Sequence, residues 1–301
     1  MIFATVDIGS NAGRLLITHV YEKFGSALTS KIALVRVPLR LGMDVFEKGY
    51  ISDEKVEDLI RALKAYKLIM EIYKPVSFDA CTTSAMREAS NRKEVLDRVK
   101  KETGINLRVV DGTEEAKIIS KVNNIYINRI YDDTLYVDVG GGSTECSLFT
   151  HEKFMTSRSF NIGTIRLLYD KVHSGEWNDM EHWLTNLPTH DEKVNCICTG
   201  GNISALTKLF GNGDYTISRD QIQLALGELE KYSFEERIEK FSLRPDRADV
   251  IIPAAKIFNN ILRWGNIETV IAPQLGLADG LAIDLYKKYI RKNKPSPLSL
   301  Q

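Results

Sequence analysis

Apolar runs of strand length alternate with longer stretches whose apolar residues recur at helical spacing. Residues 2–8 form a near-continuous apolar run that closes on Asp7. The turn Gly9-Ser10-Asn11-Ala12-Gly13 follows, and then a second run, Leu15-Leu16-Ile17-Thr18-His19-Val20. Both have the length and composition of core strands. Residues 32–42 continue strand-like. Ser52, backed by Asp53 and Glu54, predicts a helix start. Val56, Leu59, Ile60, Leu63, Tyr66, Ile69 and Met70 carry that helix to Lys74, and Pro75 lies just beyond its end. Residues 76–83 predict a strand, Ser84 opens a helix that Gly104 closes, and residues 107–110 predict a short strand. Gly112-Thr113 then lead into a helix holding Glu114, Glu115, Ile118, Ile119 and Val122.

The second half repeats the opening. Thr134-Leu135-Tyr136-Val137 and Cys146-Ser147-Leu148-Phe149 read as strands. Between them lies Asp138-Val139-Gly140-Gly141-Gly142-Ser143-Thr144-Glu145, a glycine turn with a carboxylate at each end. Laying Asp7 on Asp138 puts Gly9 on Gly140 and Leu16-Ile17 on Ser147-Leu148. A strand over 153–160, a helix from Thr164 and a strand over 194–198 follow. That last strand runs into Thr199-Gly200-Gly201-Asn202 and a helix over 203–210. Ser218 caps another helix, residues 246–264 form a long amphipathic one, and residues 281–290 form the last. The alternation of strands and helices predicts an α/β fold. The duplicated opening predicts two lobes, 1–124 and 125–301, that face a cleft, with a hinge at 123–133. The last helix has the option of packing back on the first lobe.

Bulk properties narrow this only slightly. A chain of 301 residues suits two domains, and 44% hydrophobic with 27% charged residues marks an ordinary globular composition. Forty basic residues cancel forty acidic ones. There is no global pull toward nucleic acid or a membrane surface, so a polyanionic ligand needs a local basic groove. Cys81, Cys146, Cys196 and Cys198 sit in apolar runs without a C-x-x-C spacing, which predicts buried thiols in a reducing compartment. No basic leader opens the chain, and no apolar run reaches the roughly 18 residues of a membrane span. The expected location is the cytoplasm. The apolar residues of 246–264 suffice for a core, the preferred reading, or for a homodimer seam.

Three glycine turns end apolar strands, at 9–13, 140–144 and 200–202. Glycine lets backbone N–H groups stand free and close to an anion, as does a strand–helix junction such as Gly200-Gly201. The turn at 140–144 lacks the Walker spacing, and a strand follows it. Any one of them alone could be a structural hairpin; three in a two-lobe layout point to a polyphosphate or nucleotide in the cleft. Asp7 and Asp138 end core strands, where a buried acid needs a partner or a metal. With Glu145 they form an oxygen-only donor set that suits Mg²⁺ or another divalent cation. Glu114 and Glu115 sit in a first helical turn, favourable there whatever their role. One of them facing the cleft has the chemistry of a general base. Arg87, at a helix start, has a guanidinium suited to phosphate oxygens; Arg14 and Arg166 are weaker candidates. The five histidines show no spacing that suggests a metal site or a triad.

Six stretches then identify a family resemblance: Asp7-Ile8-Gly9-Ser10-Asn11, Thr83-Ser84-Ala85-Met86-Arg87-Glu88-Ala89, Gly112-Thr113-Glu114-Glu115-Ala116, residues 138–145, Asn161-Ile162-Gly163-Thr164-Ile165-Arg166 and Thr199-Gly200-Gly201-Asn202. In this order they resemble the exopolyphosphatase/guanosine pentaphosphate phosphohydrolase (Ppx/GppA) family of the actin/sugar-kinase/Hsp70 superfamily, in its short two-lobe form. The resemblance implies two ribonuclease-H-like lobes flanking a cleft, and Mg²⁺-dependent attack of water on a terminal phosphoanhydride. The implied substrates are inorganic polyphosphate and guanosine pentaphosphate. Glu115 matches the family's catalytic base, and Asp138 and Glu145 match its metal- or water-orienting acids. Ser10, Asn11, Arg87, Gly140, Gly141, Gly142, Ser143 and Thr144 match phosphate-contacting positions.

Two departures bear on substrate preference. Ala12 stands where the family usually has serine, and Ala278 stands where many members have arginine in Gly-Leu-Arg-Glu-Gly. The alternatives to a hydrolase are an ATP-dependent kinase or ATPase of the superfamily, and a non-enzymatic sensor of alarmone or polyphosphate.

Overall fold

The structure, a computed structural model, describes residues 1–23, 26–122, 131–190 and 193–293. The expected lobe boundary at 124/125, most of the expected hinge, and the tail beyond Asn293 lie outside the described residues.

The first half forms β1 (Ile2–Ile8), β2 (Gly13–Lys23), β3 (Ser26–Val37), α1 (Leu41–Lys48), α2 (Asp53–Tyr73), β4 (Ser77–Thr82), α3 (Ser84–Glu88), α4 (Arg92–Thr103), β5 (Arg108–Val109) and α5 (Gly112–Ser120). The second forms β6 (Asp133–Val139), β7 (Thr144–Thr150), β8 (Lys153–Phe160), α6 (Thr164–Leu168), α7 (Ser174–Thr185), β9 (Asn195–Thr199) and α8 (Gly201–Phe210). It continues through β10 (Thr216–Ser218), α9 (Arg219–Leu229), α10 (Phe234–Phe241), α11 (Pro245–Ala248), α12 (Ile251–Trp264), β11 (Thr269–Ile271) and α13 (Leu277–Asn293).

The two sheets share one topology. The first runs β3-β2-β1-β4-β5 and the second β10-β11-β9-β6-β7-β8. In each, an antiparallel three-strand meander is followed by strands that return parallel to its first strand, and the second sheet adds β10 at its edge, antiparallel to β11. The chain therefore adopts the expected α/β fold with two ribonuclease-H-like sheets. Helix crossovers supply the parallel strands, and this buries both faces of each sheet centre.

Each sheet has its own core. Val6, Leu15, Ile17, Leu59, Leu63 and Tyr66 belong to the first, and Leu135, Val137, Cys196, Ile203, Phe258 and Ile261 to the second. The apolar face of 246–264 is thus spent on the second core. The far face of the first sheet is covered from the distant end of the chain. Phe3 and Val20 pack on Ala282, Leu285 and Tyr286 of α13, and Cys81 and Ile118 pack on Leu277 and Leu281. Fully burying a side chain such as Phe3 is worth about 1.5–3 kcal/mol, so α13 is held firmly to the first sheet. All four cysteines are buried and free.

Three expectations need correction. The helix expected from Ser84 to Gly104 is two helices. Ala89 turns extended, and Asn91 spends its amide on both backbone groups of Ile51, donating to the carbonyl at 2.8 Å and accepting from the N–H at 3.0 Å. The amphipathic stretch 246–264 breaks between α11 and α12, because Pro253 has no N–H to donate to the Asp249 carbonyl; the Asp249 side chain pairs with Arg40 of the first half. The strand expected over 32–42 begins at Ser26 and ends at Val37, because Pro38 has no N–H for the ladder.

Candidate functional site

The strand–turn–strand units at the head of each sheet face each other. In the first, the Gly9 amide donates to the Ala12 carbonyl at 3.1 Å; in the second, the Gly140 amide donates to the Ser143 carbonyl at 2.9 Å. Each turn thus closes on its first glycine. The amides of Ser10, Asn11 and Ala12, and of Gly141, Gly142 and Ser143, donate to no carbonyl among the described residues. The turns nearly touch: a Cβ built on Gly141 would lie 3.0 Å from Ser10 Cβ and 3.2 Å from the Asn11 amide nitrogen.

A cavity of about 70 Å³ opens between them. Asp7, Ser10, Asn11, Glu115, Asp138 and Glu145 line it, together with Gly140, Gly141, Ser143 and the Gly200-Gly201 turn. Gly200 has φ +94°, and a Cβ there would come 2.8 Å from Asp138 Oδ1. Only glycine lets the backbone pass that carboxylate at little cost.

Four acids gather on this wall, each held differently. Asp7 ends β1, and Arg14 donates to its Oδ2 at 3.3 Å. Burial pushes its carboxyl above the usual range, and Arg14 offsets part of the rise. Asp138 ends β6 and is likewise raised by burial, with Arg14 opposing. Glu145 opens β7, and its Oε1 accepts from Ser143 Oγ at 2.6 Å and from Ser159 Oγ at 2.9 Å. Burial carries it up to about 7 despite those hydroxyls, with the Asp138 charge adding to the rise. Glu115 is presented by α5, whose N-cap Asp111 accepts from the Glu114 amide at 2.8 Å. Burial and then the charges of Glu145, Asp138 and Asp7 hold Glu115 well above the ordinary glutamate range, against a lowering pull from Arg87. Its Oε2 is buried without a partner. Glu114 points elsewhere, onto Arg108 at 2.5 Å.

Some expected site residues stand behind the wall. Arg87 donates to the Val110 carbonyl at 3.0 Å and does not line the cavity, although its charge acts on both Glu115 and Glu145. Thr144 Oγ1 donates to the Ile162 carbonyl at 2.6 Å. Gly142 is packed so closely on Phe46, Ser84 and Ser10 that no side chain fits. Arg166 pins the glycine turn: its Nε donates to the Gly142 carbonyl at 2.9 Å, and its Nη2 donates to both Glu88 carboxylate oxygens at 2.7 Å.

Sequence reasoning missed Arg36 and Arg247, which line the same cavity. Arg36 sits between two valines of β3, and that arginine inside an apolar strand was the available signal. Arg247 carried none. Among the described residues no cluster of three His, Cys or acidic side chains is arranged to hold a metal ion, and no helix is long and apolar enough to cross a membrane.

Known proteins resemble this chain in sequence and fold. Exopolyphosphatase 1 of Mycobacterium leprae is 23% identical over 305 residues, which cover 94% of this chain and 89% of that protein. A bifunctional 3-dehydroquinate synthase/phosphatase of Fusobacterium nucleatum is 32% identical over 169 residues; the match covers 54% of this chain and only 25% of that longer protein. The crystal structure of the Aquifex aeolicus Ppx/GppA phosphatase, type II variant, superposes with a TM-score of 0.70 at 26% identity, covering 94% of this chain and 99% of that one. The Ppx/GppA phosphatase family model matches residues 20–289, and the chain belongs to that family.

Proposed function

We propose that this protein hydrolyses the terminal phosphoanhydride bond of inorganic polyphosphate, guanosine pentaphosphate, or both, by direct attack of water. The observation that carries the proposal is Glu115 Oε2, buried and unpartnered in a cavity where it meets the turn amides and three further acids. A buried carboxylate oxygen left unpaired is costly, and a water donating to it relieves that cost. Glu115 then serves as general base. It takes a proton from the water as the water oxygen bonds to the terminal phosphorus. The bond from that phosphorus to the bridging oxygen breaks, and the chain leaves one phosphate shorter. Glu145, held by two serine hydroxyls, orients the same water. The free amides of both turns, with Ser10 and Asn11, hold the phosphoryl oxygens from opposite sides. Such reactions depend chiefly on positioning and charge stabilisation.

A divalent cation belongs to the same proposal. The donors are oxygen-only, and Asp7, Asp138 and Glu145 would hold the ion. Mg²⁺ commonly takes one or two carboxylates and completes its shell with water and substrate phosphate, so it does not require a closed three-ligand cluster. Bound there, it would neutralise phosphate charge.

Purified protein incubated with Mg²⁺ and, in parallel, polyphosphate, guanosine pentaphosphate and ATP tests this function. Orthophosphate release from at least one of the first two is expected, without transfer from ATP. Phosphate transfer from ATP to an acceptor, or tight polyphosphate binding with no release, would overturn it.

A further inference from the structure

Asp138 and Glu145 have a rear side as well. Between α5 and the β6–β7 pair lies a small cavity of about 10 Å³. Ala116 and Ile119 line it from the helix, and Tyr136, Asp138, Glu145 and Ser147 line it from the sheet. Asp138 and Glu145 also line the acid-walled cavity in front, so the two carboxylates partition the two spaces. Side chains two apart on a strand share a face. Ser147 therefore points the way Glu145 does, and its register partner Tyr136 points the way Asp138 does. Ser147 is an isolated hydroxyl in this strand. Its neighbours Cys146 and Leu148 are buried apolar positions, and Ser147 itself is 1% exposed. Its Oγ is buried with no hydrogen-bond partner among the described residues. An unpaired buried hydroxyl is costly, and an alanine or valine here would carry no such cost.

The acids have the complementary need. Both serine bonds to Glu145 fall on one oxygen, Oε1, and an ionised carboxylate accepts at about four sites. Asp138 and Glu145 face each other across the strand pair, where like charges repel unless a donor stands between them. One water molecule answers both needs. It accepts from Ser147 Oγ and donates one hydrogen to each carboxylate. That gives it about three partners, the usual number for a buried water, and about 10 Å³ is the least space that holds one.

We propose that Ser147 is a positioning residue for the acids of the hydrolytic site, acting through one buried water that bridges its Oγ to Glu145 and Asp138 from behind. This rests on the hydrolase function proposed above. The rear bridge fixes the separation of the two carboxylates, and their front sides stay directed at the cation and the attacking water. Ala116 and Ile119 belong to the helix that presents Glu115, so the same packing that closes the bridge sets the base against the two acids.

A high-resolution crystal structure of the unsubstituted protein gives the direct test. One ordered water within hydrogen-bond distance of Ser147 Oγ is expected, and a dry cavity overturns the proposal. Ser147→Ala removes one of that water's three partners. Mn²⁺ affinity measured without substrate should weaken about tenfold, as for other changes behind a metal's ligands. With whichever phosphoanhydride the parent cleaves, kcat should fall by about the same factor while KM stays within about twofold. Ser147→Val fills the cavity with methyl groups and expels the water. In a dry cavity that change raises the unfolding temperature and leaves kcat alone; with the bridge present it lowers both. Unchanged Mn²⁺ affinity and kcat in Ser147→Ala, or a stabilised and fully active Ser147→Val, overturns the proposal. If Ser147→Val fails to fold, the alanine variant and the crystallographic water decide. A parent that releases no phosphate from any phosphoanhydride refutes the hydrolase function, and the Mn²⁺ affinities and the water still decide the bridge. An active parent without these shifts refutes the role of Ser147 alone.

Discussion

Glu145 stands in the second sheet where Arg14 stands in the first. Each is the register partner of the strand-end aspartate beside it, Arg14 of Asp7 and Glu145 of Asp138. The duplicated hairpin therefore carries opposite charges at equivalent positions. Asp7 has a cation at 3.3 Å; Asp138 faces another acid, and the nearby α5 brings Glu115 to the same wall. Like charges across a strand pair are destabilising. The second lobe keeps such a pair at the head of its cleft, which fits a site that binds a cation and a water.

Removing one acid from this group tests the assignment of the base. Glu115→Gln keeps the shape and takes away the proton acceptor. Phosphate release should fall about a thousandfold, within the usual range for a general base, while polyphosphate affinity stays within a few-fold. The variant should also unfold at a higher temperature than the parent at neutral pH, because the cost of burying an acid among other acids is gone. Full activity in this variant would exclude Glu115 as base.

The titration of Glu145 gives a signed pH dependence in metal-free protein. Its carboxyl goes from an ordinary value of 4.5 to about 7 on folding. Below about pH 4.5 both folded and unfolded chains hold the proton. Between there and about pH 7 only the folded chain does, so stability falls as pH rises through that window. Above it a penalty of about 3 kcal/mol remains. Chemical denaturation at pH 5 and pH 8 in chelator should show this loss, and Glu145→Gln should lessen it. Added Mg²⁺ should stabilise the parent more at pH 8 than at pH 5. Equal stability across the window in parent and variant would contradict this account of the site.

What could be read in advance was local. The paired turns at Gly9 and Gly140 were legible because an aspartate, a glycine and small polar residues recur between apolar runs, and the structure gives them the same amide-to-carbonyl closure. The lobe cores were legible from periodicity. The break at Asn91 was not, because its cause, Ile51, lies far away in sequence; the break at Asp249 had a local signal in Pro253, which the apolar periodicity of 246–264 masked. The cavity's further arginines were hidden by distance too: Arg36 meets Arg14 across a strand pair, and Arg247 arrives from the other half of the chain. Thr144 shows the converse error. Its place in a phosphate motif suggested a ligand, but its hydroxyl is spent on the Ile162 carbonyl.

Arg166 offers a test of support as distinct from contact. It ties the Gly142 carbonyl to Glu88, and its guanidinium lies 4.0 Å from the Phe46 ring centroid. Arg166→Ala should cost about 2–3 kcal/mol, toward the low end for breaking a buried pair because Glu88 is partly exposed. It should lower kcat by loosening the turn. Arg166→Lys should recover little, since an ammonium cannot hold both partners and the ring in one plane. Equilibrium unfolding alongside steady-state kinetics checks both, and an unchanged midpoint with raised KM would instead make Arg166 a substrate contact.

Glycine substitutions separate the turn that closes the cleft from a glycine that closes nothing. Gly141→Ala places a methyl 3.0 Å from Ser10 Cβ, 3.2 Å from the Asn11 amide nitrogen and 3.3 Å from Ile165 Cγ1. Two of those neighbours belong to the opposite turn, so relief means moving the two turns apart. The stability cost should be modest, about 1–2 kcal/mol as for other small overpacking changes. The rate should fall more than about tenfold, because a displacement of the two turns misaligns phosphate and water. Gly227, inside α9, has open space where a methyl would stand, with nothing within 4 Å, and no positive φ. Gly227→Ala should therefore stabilise by about 0.5–1 kcal/mol through helix propensity and leave phosphate release untouched. If Gly141→Ala retained full rate, the close approach of the two turns would have no part in catalysis, and the free amides would have to act from one lobe alone.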